Sequence, residues 1–421
     1  MARTKSSNFG LDFLIRTVFP FMLSLTPAIG CYAEQAEVVD ADRVHAVQLF
    51  LQARNELLQV EIGNDREVLL GIVGLDLAKI GHTDEARQTI DLISTDESRD
   101  VYLRPFLQVL LQSNKLEEAQ RTVGAMKTLG GTAEGLCYLA SAQWRAGQRK
   151  QARQSLSKVL AIYKQHQDEL TYENFLEPLA EAQSQIGDSA GASKTRRAIA
   201  QLPEQHGIVD RWAPEWVASG TESYELLTLG RSQAEKGDLQ GARTTFQRAV
   251  ALIGAVHSEY ARPFLLYVIA ADQAKAGDSE GARSTFALAL DKALADLQSP
   301  QRNYVLRDIA LAQTGAGDID GSMVTAAKVS DVHLRDQALH GVSLSKLKQS
   351  GFQSGMAVAR IIQIPSEYDA TLVDMAHLVA KQRDSSNLQF VVDQINSPYM
   401  KAEALREAAE VLGHVGYFSD H

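Results

Sequence analysis

The feature that most constrains the fold is a thirteen-residue segment that occurs twice, forty residues apart. GDLQGARTTFQRA begins at Gly237 and GDSEGARSTFALA begins at Gly277, and eight of the thirteen positions are identical. Self-similarity at a fixed period is typical of repeat arrays, in which each unit buries its apolar face against its neighbours. The sequence therefore predicts a chain built from stacked copies of one small helical unit.

Turn residues mark the predicted units along the chain. A glycine or asparagine follows the first helix of each unit, where the backbone commonly adopts the left-handed conformation. An aspartate follows four of these glycines and is expected to cap the next helix by accepting its free N–H groups. The predicted turns are Gly81, Asn114, Gly147, Gly187, Gly237, Gly277, Gly317 and Gly351, with weaker equivalents near Asp384 and Gly416, and the predicted caps are Asp188, Asp238, Asp278 and Asp318.

The residues around the turns repeat in a fixed order. Leu229-Gly230 lies in the first helix, Gly237 forms the turn, and Ala242, Phe246 and Ala249 follow in the second helix. This pattern resembles the tetratricopeptide (TPR) repeat over roughly residues 60–350. The same positions are filled by Ile269-Ala270, Gly277, Ala282, Phe286 and Ala289, and in part by Val73-Gly74, Gly81, Ala86 and Ile90 and by Leu139-Ala140, Gly147, Ala152 and Leu156.

The resemblance implies an all-α fold, a right-handed α-solenoid of about eight to ten helix-turn-helix repeats. Two features depart from the family pattern. The period of 40 exceeds the typical 34, so the extra residues either lengthen helices or extend loops. Pro105 and Pro178 fall nine residues before a turn, where each either starts a shorter helix or kinks a longer one.

The first 33 residues are predicted to be an export signal. Arg3, Lys5 and Arg16 precede an apolar run from Thr17 to Ile29, which is shorter than the roughly 20 residues of a membrane span. Cleavage after Ala33 fits the preference for a small residue at the end of an export signal. Two alternatives stay open: an uncleaved anchor, and a lipoprotein signal in which Cys31 carries a lipid.

The remaining chain is predicted to contain two repeat arrays, at residues 34–201 and 221–421. Between them, residues 202–220 hold two prolines, two glycines, Trp212 and Trp216, which suggests an insertion or joint. The tryptophans either plug this joint or contribute to a partner-binding hot spot.

The formal net charge of the chain is −10, which repels nucleic acid phosphates and anionic lipid, and no basic stripe stands out against it. We therefore expect no nucleic acid partner. No small-molecule substrate is evident, and a membrane would be reached only through the signal or a lipid on Cys31.

The sequence predicts no enzyme, no cofactor and no metal site. His333, His340 and His377 are expected to be solvated or packed, and the SxxK spacings at Ser155 and Ser343 lack their companion motifs. Cys137 is expected to be a small buried residue.

The predicted function is that of an exported protein-interaction scaffold. In the family that the repeats resemble, the first helices line a concave groove that binds a protein or peptide partner. The alternative is a lipid-anchored or structural envelope component without a specific peptide ligand. Carried onto this chain, the groove positions include Arg104, Gln108, Trp144, Arg145, Arg231, Tyr267, Tyr304 and Arg307.

Overall fold

The computed structural model describes residues 41–167, 169–170, 173–200, 222–256 and 258–414, and the regular structure in these ranges is entirely helical. Among the described helices, none is both long and apolar enough to cross a membrane. The predicted export signal, Cys31, the insertion at 202–220 and the weak turn at Gly416 lie outside the described residues.

Apart from the interval of residues 201–221, which are not described, consecutive helices are joined by short connections. They are α1 (41–57), α2 (Asn64–Lys79), α3 (Thr83–Ile90), α4 (Asp96–Gln112), α5 (Leu116–Ala125), α6 (Leu129–Arg145), α7 (Arg149–Gln165), α8 (Glu173–Ile186), α9 (Ser189–Ile199), α10 (Glu222–Glu235), α11 (Leu239–Ala251), α12 (Ala261–Lys275), α13 (Ser279–Asp296), α14 (Gln301–Gly315), α15 (Ile319–Ala326), α16 (Val332–Ser350), α17 (Phe352–Ala359), α18 (Pro365–Lys381), α19 (Ser385–Gln394) and α20 (Pro398–Gly413). A 3₁₀ turn at Ile253–Ala255 follows α11.

From α2 to α19 the helices pair into hairpins, each with a first helix, here called the A helix, and a second, the B helix. The even-numbered helices α2 to α18 are A helices, and each packs against the B helix that follows it. The predicted all-α, helical-repeat (solenoid) class is therefore confirmed.

The predicted turns and caps are also confirmed. Gly237 has φ of +82°, and its counterparts at the predicted positions lie in the same left-handed region, including Asn114 at +57°. The N–H of Gly241 donates to Asp238 Oδ1 at 2.9 Å, which satisfies one of the free donors at the start of α11. The equivalent bonds are Gly191 to Asp188 (3.0 Å), Gly281 to Asp278 (3.2 Å) and Gly321 to Asp318 (3.3 Å).

Small residues bring the two helices of a hairpin close together. A Cβ atom added at Gly230 would lie 2.6 Å from the Phe246 ring, so this position of α10 has no room for a side chain. Ala242 and Ala282 are buried at the start of α11 and α13. The repeated Phe246 and Phe286 fill the core between helices.

The extra residues of the 40-residue period lie mainly in the B helices. α13 has 18 residues, whereas α15, which begins the next spacing of 34, has 8. Pro105 and Pro178 lie inside α4 and α8, so of the two alternatives the start of a shorter helix is excluded. Packing against neighbouring helices stabilises α4 and α8, although each proline removes one backbone hydrogen-bond donor from its helix.

The chain divides into two compact units. Unit 1 comprises the described residues up to Gln165 together with those from Leu405 onward, and unit 2 comprises His166–Ala404. The predicted boundary at 202–220 stays a prediction, because those residues are not described.

Candidate protein-binding surface

The eight predicted binding residues lie on A helices. Arg104, Gln108, Trp144 and Arg145 belong to α4 and α6 of unit 1, and Arg231, Tyr267, Tyr304 and Arg307 belong to α10, α12 and α14 of unit 2. We define the latter four as the A-helix face of unit 2. None of the eight is fully buried.

Arg231 joins the first two helices of this face. Its Nη2 lies 2.7 Å and its Nε 3.0 Å from Oδ2 of Asp272 on α12. The Asp272 side chain is 6% exposed, whereas the Arg231 side chain is 50% exposed. The carboxylate therefore holds the guanidinium in place at one edge, while the other edge stays open to a partner.

Tyr267 lies between aromatic and charged neighbours. Its ring meets that of Phe264 edge-on, with centroids 5.1 Å apart. Burial raises the pKa of the Tyr267 hydroxyl, and the nearby Asp308 carboxylate and Tyr260 raise it further, against the opposing effect of Arg307. The hydroxyl is therefore a neutral hydrogen-bond donor in the physiological pH range.

Arg307 connects α14 to the next A helix. Its Nη2 lies 2.7 Å from Oδ1 of Asp308, and its Nη1 donates to Oε1 of Gln337 on α16 at 3.1 Å. The guanidinium also lies 5.7 Å from the ring centroid of Tyr304, which is 47% exposed. This contact is within the range of a cation–π interaction.

In unit 1, Arg104 makes the same kind of connection. Its Nη1 donates to Oε2 of Glu134 on α6 at 2.9 Å, and the Glu134 side chain is 5% exposed. Gln108 is exposed and lies near the Tyr138 hydroxyl. Arg104 and Arg307 thus both reach a polar side chain thirty residues later, on the next A helix.

Trp144 and Arg145 lie at the end of α6. The guanidinium of Arg149 is 3.8 Å from the Trp144 ring centroid, and that of Arg153 is 5.8 Å away. Arg145 is exposed. Trp144 is therefore engaged with the following B helix, rather than presenting a bare ring to solvent.

Two nearly buried carboxylates that the sequence does not predict hold this surface together. Asp272 and Glu134 are nearly buried acceptors for Arg231 and Arg104, and no motif points to them. The sequence offers one signal for such residues: a carboxylate on the side of an A helix that is otherwise apolar and packs against neighbouring helices.

The serines of the SxxK spacings and two of the three histidines named above make contacts within the fold. Ser155 Oγ donates to Gln143 Oε1 at 2.8 Å, and Ser343 Oγ donates to the Gly355 carbonyl at 3.0 Å. His333 and His340 lie 3.2 Å from Glu367 and 3.1 Å from Asp374. Within the described part of the chain, no three histidine, cysteine or acidic side chains are grouped so that they could hold a metal ion.

Two clefts lie between consecutive hairpins of unit 2, away from the A-helix face. One, of about 410 Å³, is lined by residues of turns and of both A and B helices, including Arg283, Asp318 and Lys346. The other, of about 400 Å³, includes Arg243 and Asp278, whose side chains lie 2.9 Å apart. Neither cleft contains any of the eight predicted residues.

No family model matches the chain, and no curated protein matches it. Among solved structures, Ton1535 from Thermococcus onnurineus NA1 is 13% identical with a TM-score of 0.23, over 79% of this chain and 96% of that one. A circular tandem repeat protein with novel repeat topology and enhanced subunit contact surfaces is 15% identical with a TM-score of 0.18, over 89% and 88%.

The human IFIT1 dimer with PPP-AAAA is 14% identical with a TM-score of 0.23, over 86% of this chain and 94% of that one. At such low TM-scores and identities, no functional property of these three proteins is carried over to this chain.

Proposed function

We propose that the protein is an exported, TPR-like protein-interaction scaffold that binds a segment of a partner protein on the A-helix face of unit 2. It acts by binding and carries out no reaction of its own. The observation that carries the proposal is the alignment of Arg231, Tyr267, Tyr304 and Arg307 on three successive A helices. Aromatic and arginine side chains contribute most of the binding energy at protein interfaces.

The TPR-like assignment is supported by the packing of the repeated positions. Gly230 leaves space for the Phe246 ring, and Ala242 is buried beside it, as the small-residue positions of that repeat require. Positive φ at Gly237 and capping by Asp238 reproduce the turn between the two helices.

The arginines of this face are already fixed before a partner binds. Asp272 holds Arg231, and Asp308 and Gln337 hold Arg307. Fixing a long side chain in advance reduces the conformational entropy that is lost on association. The arrangement therefore favours a preformed binding surface over one that orders only in the complex.

A crosslinking pull-down from the cell envelope fraction of the source organism tests the proposal. We expect a specific partner to be recovered by the wild-type chain and lost with the Arg231→Ala/Tyr304→Ala variant. Arg248→Ala/Leu239→Ala is the matched control, because Arg248 and Leu239 are exposed on the B helix α11. Loss of the partner in the control as well, or in neither variant, would contradict binding at the A-helix face.

The same experiment separates this function from that of an anchored structural component. Recovery of no partner, with the chain in the membrane fraction and fatty-acid labelling abolished by Cys31→Ser, would favour the lipid-anchored alternative. Recovery of the chain from the soluble envelope fraction, with its first 33 residues removed, is the result expected for export and cleavage after Ala33.

A further inference from the structure

The helix α7 of unit 1 is strongly basic in an acidic protein. It contains five lysine or arginine residues and no aspartate or glutamate, whereas the whole chain has a formal net charge of −10. The expectation that no basic stripe stands out is therefore wrong for this helix, because the net charge of the chain conceals a local excess. The cations are Arg149, Lys150, Arg153, Lys158 and Lys164.

All five cations are exposed, on the side of α7 that faces away from the hairpin core. The opposite side, with Ala152, Leu156 and Val159, is buried. The main helical neighbour of α7 is its own A helix, α6. The cations thus form a ridge, here called the α7 ridge, along a helix of 17 residues, or about 25 Å.

No carboxylate among the described residues forms an ion pair with any cation of the α7 ridge. Some other cations of the chain are paired with carboxylates; for example, Arg87 Nε lies 2.9 Å from Asp91 Oδ1. Five positive charges without carboxylate partners repel one another. Together they produce a positive potential that attracts an anionic partner.

One cation of the ridge is held in a fixed position. The Arg149 guanidinium lies 3.8 Å from the centroid of the Trp144 ring, and its Nη1 donates to the Trp144 carbonyl at 3.0 Å. The guanidinium of Arg149 is exposed and has further N–H donors besides this one. Arginine donors in a fixed plane suit a carboxylate, which can accept two hydrogen bonds at once.

We infer that the α7 ridge binds an acidic, extended polypeptide segment of a partner protein. An extended segment of about eight residues spans 25 Å, so its carboxylates can lie along the whole ridge. This goes beyond the proposed binding at the A-helix face, because it concerns a different helix and a partner of defined charge.

Two other polyanions fit this surface less well. A bilayer is a broad plane that is not confined to the ridge, and anionic headgroups repel a chain whose formal net charge is −10. A peptide contacts the ridge alone. Single-stranded nucleic acid usually needs open aromatic rings for its bases, and here Arg149 covers one face of Trp144.

Fluorescence anisotropy with a labelled octaglutamate peptide and the purified full chain tests the inference. The variant Lys150→Gln/Lys158→Gln/Lys164→Gln is expected to raise the Kd at least tenfold. The matched control, Lys236→Gln/Lys328→Gln/Lys348→Gln, removes the same charge from three exposed lysines of unit 2 and is expected to change the Kd less than twofold.

The peptide affinity is also expected to fall steadily with added salt, and less steeply in the triple variant. Should the triple variant fail to fold by circular dichroism, Lys158→Gln/Lys164→Gln takes its place, with an expected rise of about fivefold. Absence of octaglutamate binding at low salt would overturn the inference, and so would equal binding by variant and control. Tighter binding of phosphatidylglycerol vesicles or of an octathymidylate, lost in the triple variant, would reassign the ridge to a membrane or to nucleic acid.

Discussion

Gln233 Oε1 accepts a hydrogen bond from Thr245 Oγ1 at 2.7 Å, which joins the A helix α10 to the B helix α11. The same bond, between residues twelve apart, recurs along the chain. In some hairpins the glutamine amide also donates to the capping aspartate, so one side chain links the A helix, the turn and the B helix. The equivalent pairs are Gln143–Ser155, Gln183–Thr195 and Gln313–Thr325, and the amide contacts are Gln183–Asp188 and Gln313–Asp318.

Thr245→Val should therefore destabilise the protein by about 1–3 kcal/mol, because the Gln233 oxygen loses its donor in a largely buried site. Thr244→Val is the control: Thr244 is exposed and bonds only within its own helix, to the Gln240 carbonyl. Its effect should stay within about 0.5 kcal/mol. Urea denaturation of both variants measures the difference, and equal midpoints would show that the Gln–Thr bond has no stabilising role.

A buried carboxylate closes the loop between hairpins of unit 1. Oδ2 of Asp100 accepts from the backbone N–H groups of Lys127 and Thr128 at 2.9 and 2.6 Å, and from Thr128 Oγ1 at 2.7 Å. The same device recurs wherever the period is about 33 residues. Carboxylates join Glu67 to Ser94, Asp336 to Ile364 and Asp369 to Ser397, and the amide oxygen of Asn303 takes the same place toward Ser330.

Asp100→Ala should lower the free energy of unfolding by about 2–4 kcal/mol, since it leaves three donors without their charged acceptor. Asp96→Ala, four residues earlier in α4, removes an exposed carboxylate that pairs with Arg99 at the surface. Its cost should be below about 1 kcal/mol. A thermal melt of the two variants side by side would refute the loop-closing role if Asp96→Ala proved the more harmful.

These bonds mark the limit of what the sequence could predict. Turns such as Gly237 and caps such as Asp238 depend on neighbouring residues, and local patterns reveal them. The pairing of Arg231 with Asp272 spans 41 residues and depends on how one hairpin is set against the next. That arrangement follows from the packing of whole helices, which no short motif encodes. The α7 ridge was not predicted for another reason: the net charge of the whole chain is negative, and it does not show the positive charge of one helix.

The repeated alanines provide a direct test of the helix register. Ala282 is buried where α13 meets its partner helix, so Ala282→Leu should overpack the contact and cost about 1–3 kcal/mol. Ala287→Leu, in the same helix but exposed, should cost less than about 0.5 kcal/mol. Melting temperatures distinguish the two, and a wild-type melt for Ala282→Leu would show that the assigned packing is wrong.

Cys137 should be chemically inert in the folded protein. Burial raises the pKa of its thiol, and the charge of Glu134 raises it further, so the reactive thiolate is scarce at neutral pH. In a Cys31→Ser background, a thiol reagent should label Cys137 only as fast as the protein opens. Labelling should become rapid in denaturing urea, whereas rapid labelling of the native protein would contradict burial of the side chain.

A buried ionic cluster in unit 1 predicts how stability depends on pH. Asp76, 1% exposed, accepts from Lys79 Nζ at 3.0 Å and lies 3.7 Å from Arg406 Nη1, which is 2.7 Å from Glu410. Burial raises the pKa of the Asp76 carboxyl above its ordinary value despite the opposing charges of Lys79 and Arg406. Burial also raises the pKa of Glu410, against the effect of Arg406.

Because both carboxyls hold protons more tightly in the folded than in the unfolded state, their contribution to stability is greatest at low pH. It is lost as the pH rises from about 4 through the folded-state pKa values. Asp76→Asn cannot ionise, so its free energy of unfolding should rise relative to that of wild type between about pH 4 and pH 7. Asp84→Asn, at an exposed position of α3, should run parallel to wild type over the same interval. Urea titrations at several pH values measure this slope, and a relative stability of Asp76→Asn that falls with rising pH would mean that the ion pairs, and not burial, dominate at Asp76.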